Sequence, residues 1–233
     1  MICNPNNPTG YVYSKEELNN LKELVLEYNL YLLAYEVYRE FCYDGLKHNS
    51  VMHLQEIQNQ AVILDSVSKR YSACGARVGC IVSKNKELMG SILKFGMARL
   101  CPPTLEQLGA EASVDTPSEY FNEVLVEYKN RRDVMVSALR KIPGVVAPNP
   151  KGAFYITARL PVDDADQFAQ WLLTDFHVNN ETVMISPANG FYSTPGLGQD
   201  EVRIAYVLNI QDIENSMNIL SEALKVYPGR IEQ

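Results

Sequence analysis

Lys69 stands at the end of the tetrapeptide Ser66-Val67-Ser68-Lys69, with Arg77 eight residues further on and Gly79 just beyond it. A lysine placed directly after an apolar strand sits where open α/β sheets bind their ligands, outside the carboxyl ends of the strands. Desolvation there favours the neutral amine, whose lone pair can form a Schiff base with a carbonyl compound. The hydroxyls of Ser66 and Ser68 and the guanidinium of Arg77 suit a phosphate, the arginine through paired charge-assisted bonds. Taken alone, the tetrapeptide reads equally as a surface lysine in a serine-rich turn. Two further segments bring polar groups to strand ends. Asn4-Pro5-Asn6-Asn7-Pro8-Thr9-Gly10 supplies two X-Pro turns and a glycine where the chain must bend. Glu36-Val37-Tyr38 follows the next apolar run, and a lone tyrosine in such a place is commonly a packing residue.

The elements that would position these residues alternate in type. Ser14 with Glu17 forms a capping box, and Leu18, Leu21, Leu24, Val25 and Tyr28 recur at helical spacing, so a helix is predicted from about Lys15 to Tyr28. Leu30 to Ala34 is apolar throughout, as in a central strand of a parallel sheet covered on both faces. Ala61 to Leu64 and Val78 to Val82 repeat the pattern, and the alternation with helices is that of an α/β protein. A long helix is predicted from Ser118 to Lys141, ending before Pro143 and Gly144. Strand-like pieces then follow at Ala153 to Thr157, Thr182 to Ile185 and Val202 to Val207, with helices near Ala165 to Phe176 and Ile213 to Val226. The expected organisation is part of a large, mainly parallel domain over residues 1–125 and a smaller α+β domain over 126–233.

Composition narrows the function classes. The 233 residues are 46% hydrophobic and 21% charged, so the chain can bury a core and is neither disordered nor fibrous. Acidic residues outnumber basic ones, 28 to 21, which argues against nucleic-acid binding. The basic cluster Lys129, Arg131 and Arg132 reads as one solvated helix face. No apolar run has the length of a membrane span and no signal peptide precedes the first motif, so a cytoplasmic protein is expected. Cys3, Cys42, Cys74, Cys80 and Cys101 lie far apart and read as reduced, mostly buried thiols. His48, His53 and His177 form no ligand pattern, so no metal is expected.

In order along the chain, NPNNPTG, AYEVYREF, SVSKRYSACGARVG, PKGAFY (Pro150 to Tyr155) and EVRIAYVLN (Glu201 to Asn209) resemble the pyridoxal-phosphate-dependent class I/II aminotransferases of the aspartate aminotransferase fold. The resemblance covers essentially the whole chain and implies fold type I. It implies that Lys69 forms the internal aldimine with pyridoxal 5'-phosphate and later shuttles a proton between the substrate's α-carbon and the cofactor. It implies that Asn7 and Tyr38 donate to the cofactor's phenolic oxygen, that Asn7 also helps hold the substrate, and that Ser66, Ser68 and Arg77 hold the phosphate. Arg203 would clamp the substrate's α-carboxylate, which a lysine could not copy. The implied reaction exchanges an amino group between an amino acid and a 2-oxo acid, with aspartate the first substrate to try and alanine and aromatic amino acids next. Arg99 reads as a helix-end or interface arginine rather than as a second carboxylate clamp. A homodimer is also implied.

The sequence departs from that pattern twice. Three residues before Tyr38 the family places an aspartate against the pyridine nitrogen, and this chain has Tyr35. A phenol is uncharged near neutrality and cannot act as the ring's counter-ion. The change reads as a degenerate or engineered variant, a sequence error, or an enzyme with altered ring electronics. Glu36, next along the strand, points to the opposite side if the pleat continues. The second departure is that Met1 begins almost on the first motif, so the chain is expected to be N-terminally incomplete, without a phosphate loop and a ring-stacking aromatic residue. The competing readings are a catalytically impaired fragment or pseudoenzyme retaining the fold, and another fold type I enzyme such as a carbon-sulfur lyase, a decarboxylase or a cyclopropane-forming synthase.

Overall fold

A computed structural model describes residues 1–231. The chain divides into two compact units, one of Met1–Asn6, Tyr11–Leu125 and Lys151–Ala153, the other of Asn7–Gly10, Val126–Pro150 and Phe154–Gln233.

The first unit is built on strands β1 (Ile2–Cys3), β2 (Leu32–Tyr35), β3 (Ala61–Ser66) and β4 (Gly79–Val82), hydrogen-bonded in that order. The first three run parallel and β4 runs antiparallel to β3. Between β1 and β2 lies helix α1 (Lys15–Glu27). The Ser14 hydroxyl accepts from the Glu17 N–H and the Glu17 carboxylate accepts from the Ser14 N–H, a reciprocal cap worth about 1 kcal/mol. Leu18 and Val25 of α1 bury against Leu32, Ala34, Ala61 and Ile63, joined by Val51 and Ile57 from short 3-10 turns. The strand pairings put Leu32, Ala34, Ala61 and Ile63 on one face, as the period of two requires.

The other face is only partly covered, with Val62 buried beside Leu33. Leu33, Tyr35 and Leu64 are half-exposed and Ile81 is exposed, which corrects the expectation of a strand covered on both faces. Helices α2 (Val67–Arg70), α3 (Lys86–Arg99) and α4 (Thr104–Ala112) carry no buried residue. Phe95 and Leu105 are 79% and 80% exposed, an unusual state for large apolar side chains in a folded unit. Arg99 closes α3 as its last residue.

Segment 151–153 joins this unit by bridging Gly152 to Cys42, and Tyr43 Oη donates to the Ala153 carbonyl at 2.6 Å. A Cβ at Gly152 would lie 2.6 Å from both Pro5 Cβ and Val12 Cγ2, so no larger residue fits that approach.

Helix α5 (Ser118–Leu139) spans the division between the units. In the second unit, β5 (Tyr155–Arg159), helix α6 (Ala165–Thr174), β6 (Ser186–Pro187), β7 (Glu201–Ala205) and helix α7 (Ile210–Val226) complete the fold. The three strands form an antiparallel sheet in the order β5-β7-β6. Its core takes Ile156, Ala158, Val202 and Ile204 from the sheet, Met135 and Leu139 from α5, Phe168 and Leu172 from α6, and Ile213, Leu220 and Leu224 from α7. The predicted strand Thr182 to Ile185 does not form, and the short pairing begins at Ser186 instead.

Two burial expectations change. Arg132 is only 2% exposed, with Nη1 donating to the Pro150 carbonyl at 3.0 Å and Nη2 lying 2.7 Å from Asp133 Oδ1. The basic cluster is therefore not one solvated face. Of the five cysteines only Cys42 is buried, Cys3 is half-buried, and Cys74, Cys80 and Cys101 are exposed. Burial pushes the Cys42 thiol up to about 11, which leaves a thiolate fraction of about one in a thousand at pH 8. Iodoacetamide at that pH is expected to modify Cys74 and Cys101 while Cys42 stays unmodified until the protein unfolds, and mass mapping against time checks this order.

Candidate functional site

Strand β3 delivers the chain to the site. Ser66 ends the strand in extended conformation and caps α2, its hydroxyl accepting from the Ser68 N–H at 3.2 Å. The turn that places Lys69 and Arg70 is one helical turn long, closed by Tyr71 N–H donating to the Val67 carbonyl. After a second short turn Arg77 adopts left-handed backbone (φ 55°), and its Nη1 donates to the Cys74 carbonyl at 2.9 Å. Gly79 then opens β4 opposite Ser66, and a Cβ there would meet the Asp65 carbonyl at 2.9 Å. A glycine lets the two backbones close at this point.

A cleft of about 360 Å³ results, lined by Tyr35, Ser66, Ser68, Lys69, Cys74, Arg77, Val78 and Gly79. Five residues singled out from sequence thus share one cleft: Tyr35, Ser66, Ser68, Lys69 and Arg77. Tyr38 is not among its walls. It is 2% exposed and sits edge-on to Tyr35, with ring centroids 6.0 Å apart. Asn7 and Arg203 belong to the second unit and meet there, Arg203 Nη1 donating to Asn7 Oδ1 at 3.2 Å. The Arg203 guanidinium also lies over the rings of Tyr155 (5.0 Å) and Phe191 (5.2 Å). Its place on β7 is set by pairing with Thr157 on one side and Ser186 on the other.

Glu36, directly after Tyr35, is fully buried and committed elsewhere. Its Oε1 accepts from the Val51 N–H at 2.9 Å and its Oε2 lies 3.0 Å from His48 Nε2. It supplies no carboxylate to the cleft.

Sequence reasoning passed over a charged cluster around the lysine. Asp65 Oδ1 accepts from the Ser66 N–H at 2.9 Å, and Asp65 Oδ2 lies 3.0 Å from both Arg39 Nη1 and Arg70 Nη2. Glu40 Oε1 lies 3.4 Å from Arg39 Nε and 3.1 Å from Arg70 Nε. The available signal was Asp65 itself, a charge interrupting an otherwise apolar strand. Among the described residues no group of three or more His, Cys, Asp and Glu could hold a metal, and no helix is long and apolar enough to cross a membrane.

The sheet, the lysine-bearing turn that leaves it and the solved structures it superposes on define an α/β fold of the aspartate aminotransferase type. The chain belongs to the class I and II aminotransferase family, whose model matches residues 1–220. It is 30% identical over 225 residues to an aspartate aminotransferase of Bacillus subtilis, covering 93% of this chain and 55% of that one. It superposes on the aromatic aminotransferase of Pyrococcus horikoshii with a TM-score of 0.85 at 27% identity, covering 96% of this chain and 58% of that one. For the alanine aminotransferase of Pyrococcus furiosus the TM-score is 0.83 at 30% identity, with 96% and 56% covered. The chain therefore spans about half the length of the relatives it matches. Members of the family depend on pyridoxal phosphate.

Proposed function

We propose that this chain is the lysine-bearing portion of a pyridoxal-phosphate-dependent amino acid aminotransferase, working as a homodimer. The observation that carries the reading is the cleft in which Lys69 shares walls with Ser66, Ser68 and Arg77. An amine, two hydroxyls and a guanidinium are the donor set a phosphate-bearing aldehyde asks for, and the exposed Arg77 can turn from its carbonyl partner toward a phosphate. Bound there, pyridoxal phosphate supplies an electron sink that stabilises charge at the amino acid's α-carbon.

The chain's own residues would do the rest. Lys69 Nζ would hold the aldehyde carbon and later carry the proton to and from the α-carbon. Ser66, Ser68 and Arg77 would fix the phosphate, and Tyr38 and Asn7 would donate to the ring's phenolic oxygen. Arg203, lying over the rings of Tyr155 and Phe191, would offer its planar fork to the substrate's α-carboxylate. Among the relatives, the Bacillus subtilis enzyme is an aspartate aminotransferase and the two Pyrococcus structures are aromatic and alanine aminotransferases. Aspartate is the substrate proposed first, with alanine and the aromatic amino acids next. Tyr35 in the cleft favours a second reading, a fold-retaining chain with impaired catalysis.

The test is covalent capture. Purified protein is mixed with pyridoxal phosphate, reduced with borohydride and mapped by peptide mass. A pyridoxyl group on Lys69, absent from Lys69→Ala, is the expected result. A Lys69 peptide without the label overturns the proposal.

A further inference from the structure

We infer that Asp65, with Arg70, Arg39 and Glu40, is a positioning device that fixes the reach of Lys69, an inference that rests on the proposed role of that lysine. A helix of one turn has almost no stability of its own, because nucleation is unfavourable and there is no propagation to offset it. The placement of α2 must therefore come from ties to its surroundings. The Ser66 cap is one. The other is Arg70, adjacent to Lys69, whose Nη2 donates to Asp65 Oδ2 at 3.0 Å; its Nε lies 3.1 Å from Glu40 as an ion pair without hydrogen-bond geometry.

Asp65 is well placed to act as the fixed point. It belongs to β3, is 12% exposed at the side chain, and is paired through the backbone with β4. Its Oδ1 restrains the backbone at Ser66, and its Oδ2 takes a guanidinium from each side. Arg39 follows Tyr38 in the turn after β2, so the same carboxylate also ties the tyrosine-bearing turn to the lysine-bearing one. Two arginines and two carboxylates balance in charge, and with Arg70 13% exposed the pair is shielded from the screening that makes surface ion pairs weak. None of the four lines the cleft with Lys69. They act on the lysine through the backbone.

Asp65→Asn keeps the shape and the acceptor for Ser66 while removing the charge, and Arg70→Met cuts the other end. Each is expected to slow capture of pyridoxal phosphate by Lys69 at saturating cofactor by about tenfold, the scale of one charged hydrogen bond. The half-saturating cofactor concentration is expected to stay unchanged, because the phosphate partners are intact. The double variant should be no worse than either single one, and Arg70→Lys should recover part of the rate. Hydrogen exchange of amides 67–72 should quicken about tenfold in Asp65→Asn while amides 61–64 are unaffected. Wild-type rates of capture and exchange in both single variants would overturn the inference, as would a uniform acceleration of exchange across the sheet. Should Lys69 of the unaltered protein take up no cofactor, the function proposed above falls, and the exchange measurement still decides whether Asp65 holds the turn.

Discussion

Tyr35→Asp is expected to raise the rate of transamination by about two orders of magnitude, the usual scale for restoring one preorganised charge at a reacting system. Tyr35 is the last residue of β2, and its pairing with Leu64 sends both side chains to the partly covered face of the sheet, where Tyr35 lines the cleft with Lys69. By resemblance this is the position of the carboxylate that keeps the cofactor's ring nitrogen protonated. A phenol can donate a hydrogen bond but carries no compensating charge near neutrality. Nothing nearby on the strand replaces it, because Glu36 is buried and engaged with His48 and Val51. Steady-state kinetics with aspartate and a 2-oxo acid read the effect in kcat. Tyr35→Asn, matched to the aspartate in size but uncharged, should show no such gain. An aspartate variant as slow as the parent would remove the electronic explanation and leave the fold-retaining, impaired chain as the better account.

The covalent and electronic parts of the proposed chemistry separate in this protein. Capture of an aldehyde by Lys69 needs a reachable amine and a seat for the phosphate, and in the proposed reading Ser66, Ser68 and Arg77, which line the same cleft as the lysine, supply that seat. Stabilising charge at the α-carbon needs a counter-ion for the ring, which Tyr35 does not provide. The chain is therefore expected to label readily and to turn over slowly. A protein that failed at both would point to a different defect, one in the seat itself.

How much of this was legible in the sequence follows from the range of the interactions involved. The capping box at Ser14 and Glu17 located the start of α1 at Lys15, because a cap is a local hydrogen-bond exchange, and the apolar spacing gave its end to within one residue. The lysine turn was legible for the same reason: Ser66, Ser68, Lys69 and Arg77 lie within twelve positions and fold into one cleft. Arg132 was misread because helical charge patterning says nothing of the Pro150 carbonyl that receives its guanidinium. Thr182 to Ile185 looked like a strand by composition, but the ladder with β7 begins at Ser186, and register is a property of two segments rather than one. The exposed cysteines lie in the turn before β4 (Cys74), on the edge strand β4 (Cys80) and just after α3 (Cys101), places that composition does not record. The Asp65 cluster joins residues from three elements, so no single window of sequence contains it.

Glu36→Ala is expected to be the most destabilising substitution in the first unit outside its apolar core, costing about 3 kcal/mol. The carboxylate is fully buried, and each of its oxygens has a task. One accepts from the Val51 N–H, where the chain enters the short turn that carries Val51 into the core beneath β2. The other meets His48 Nε2 at 3.0 Å, and His48 Nδ1 is buried with no hydrogen-bond partner. Alanine would leave the Val51 N–H unsatisfied and strip the imidazole of the partner it has, besides opening a cavity where the side chain was. Glu36→Gln should cost less, because an amide oxygen can still accept from Val51 while the charge facing His48 is lost. Urea denaturation followed by far-ultraviolet dichroism measures both. The order expected is wild type, then Gln, then Ala, and a Glu36→Ala midpoint within experimental error of wild type would mean that water or a rearranged loop satisfies both groups without the carboxylate.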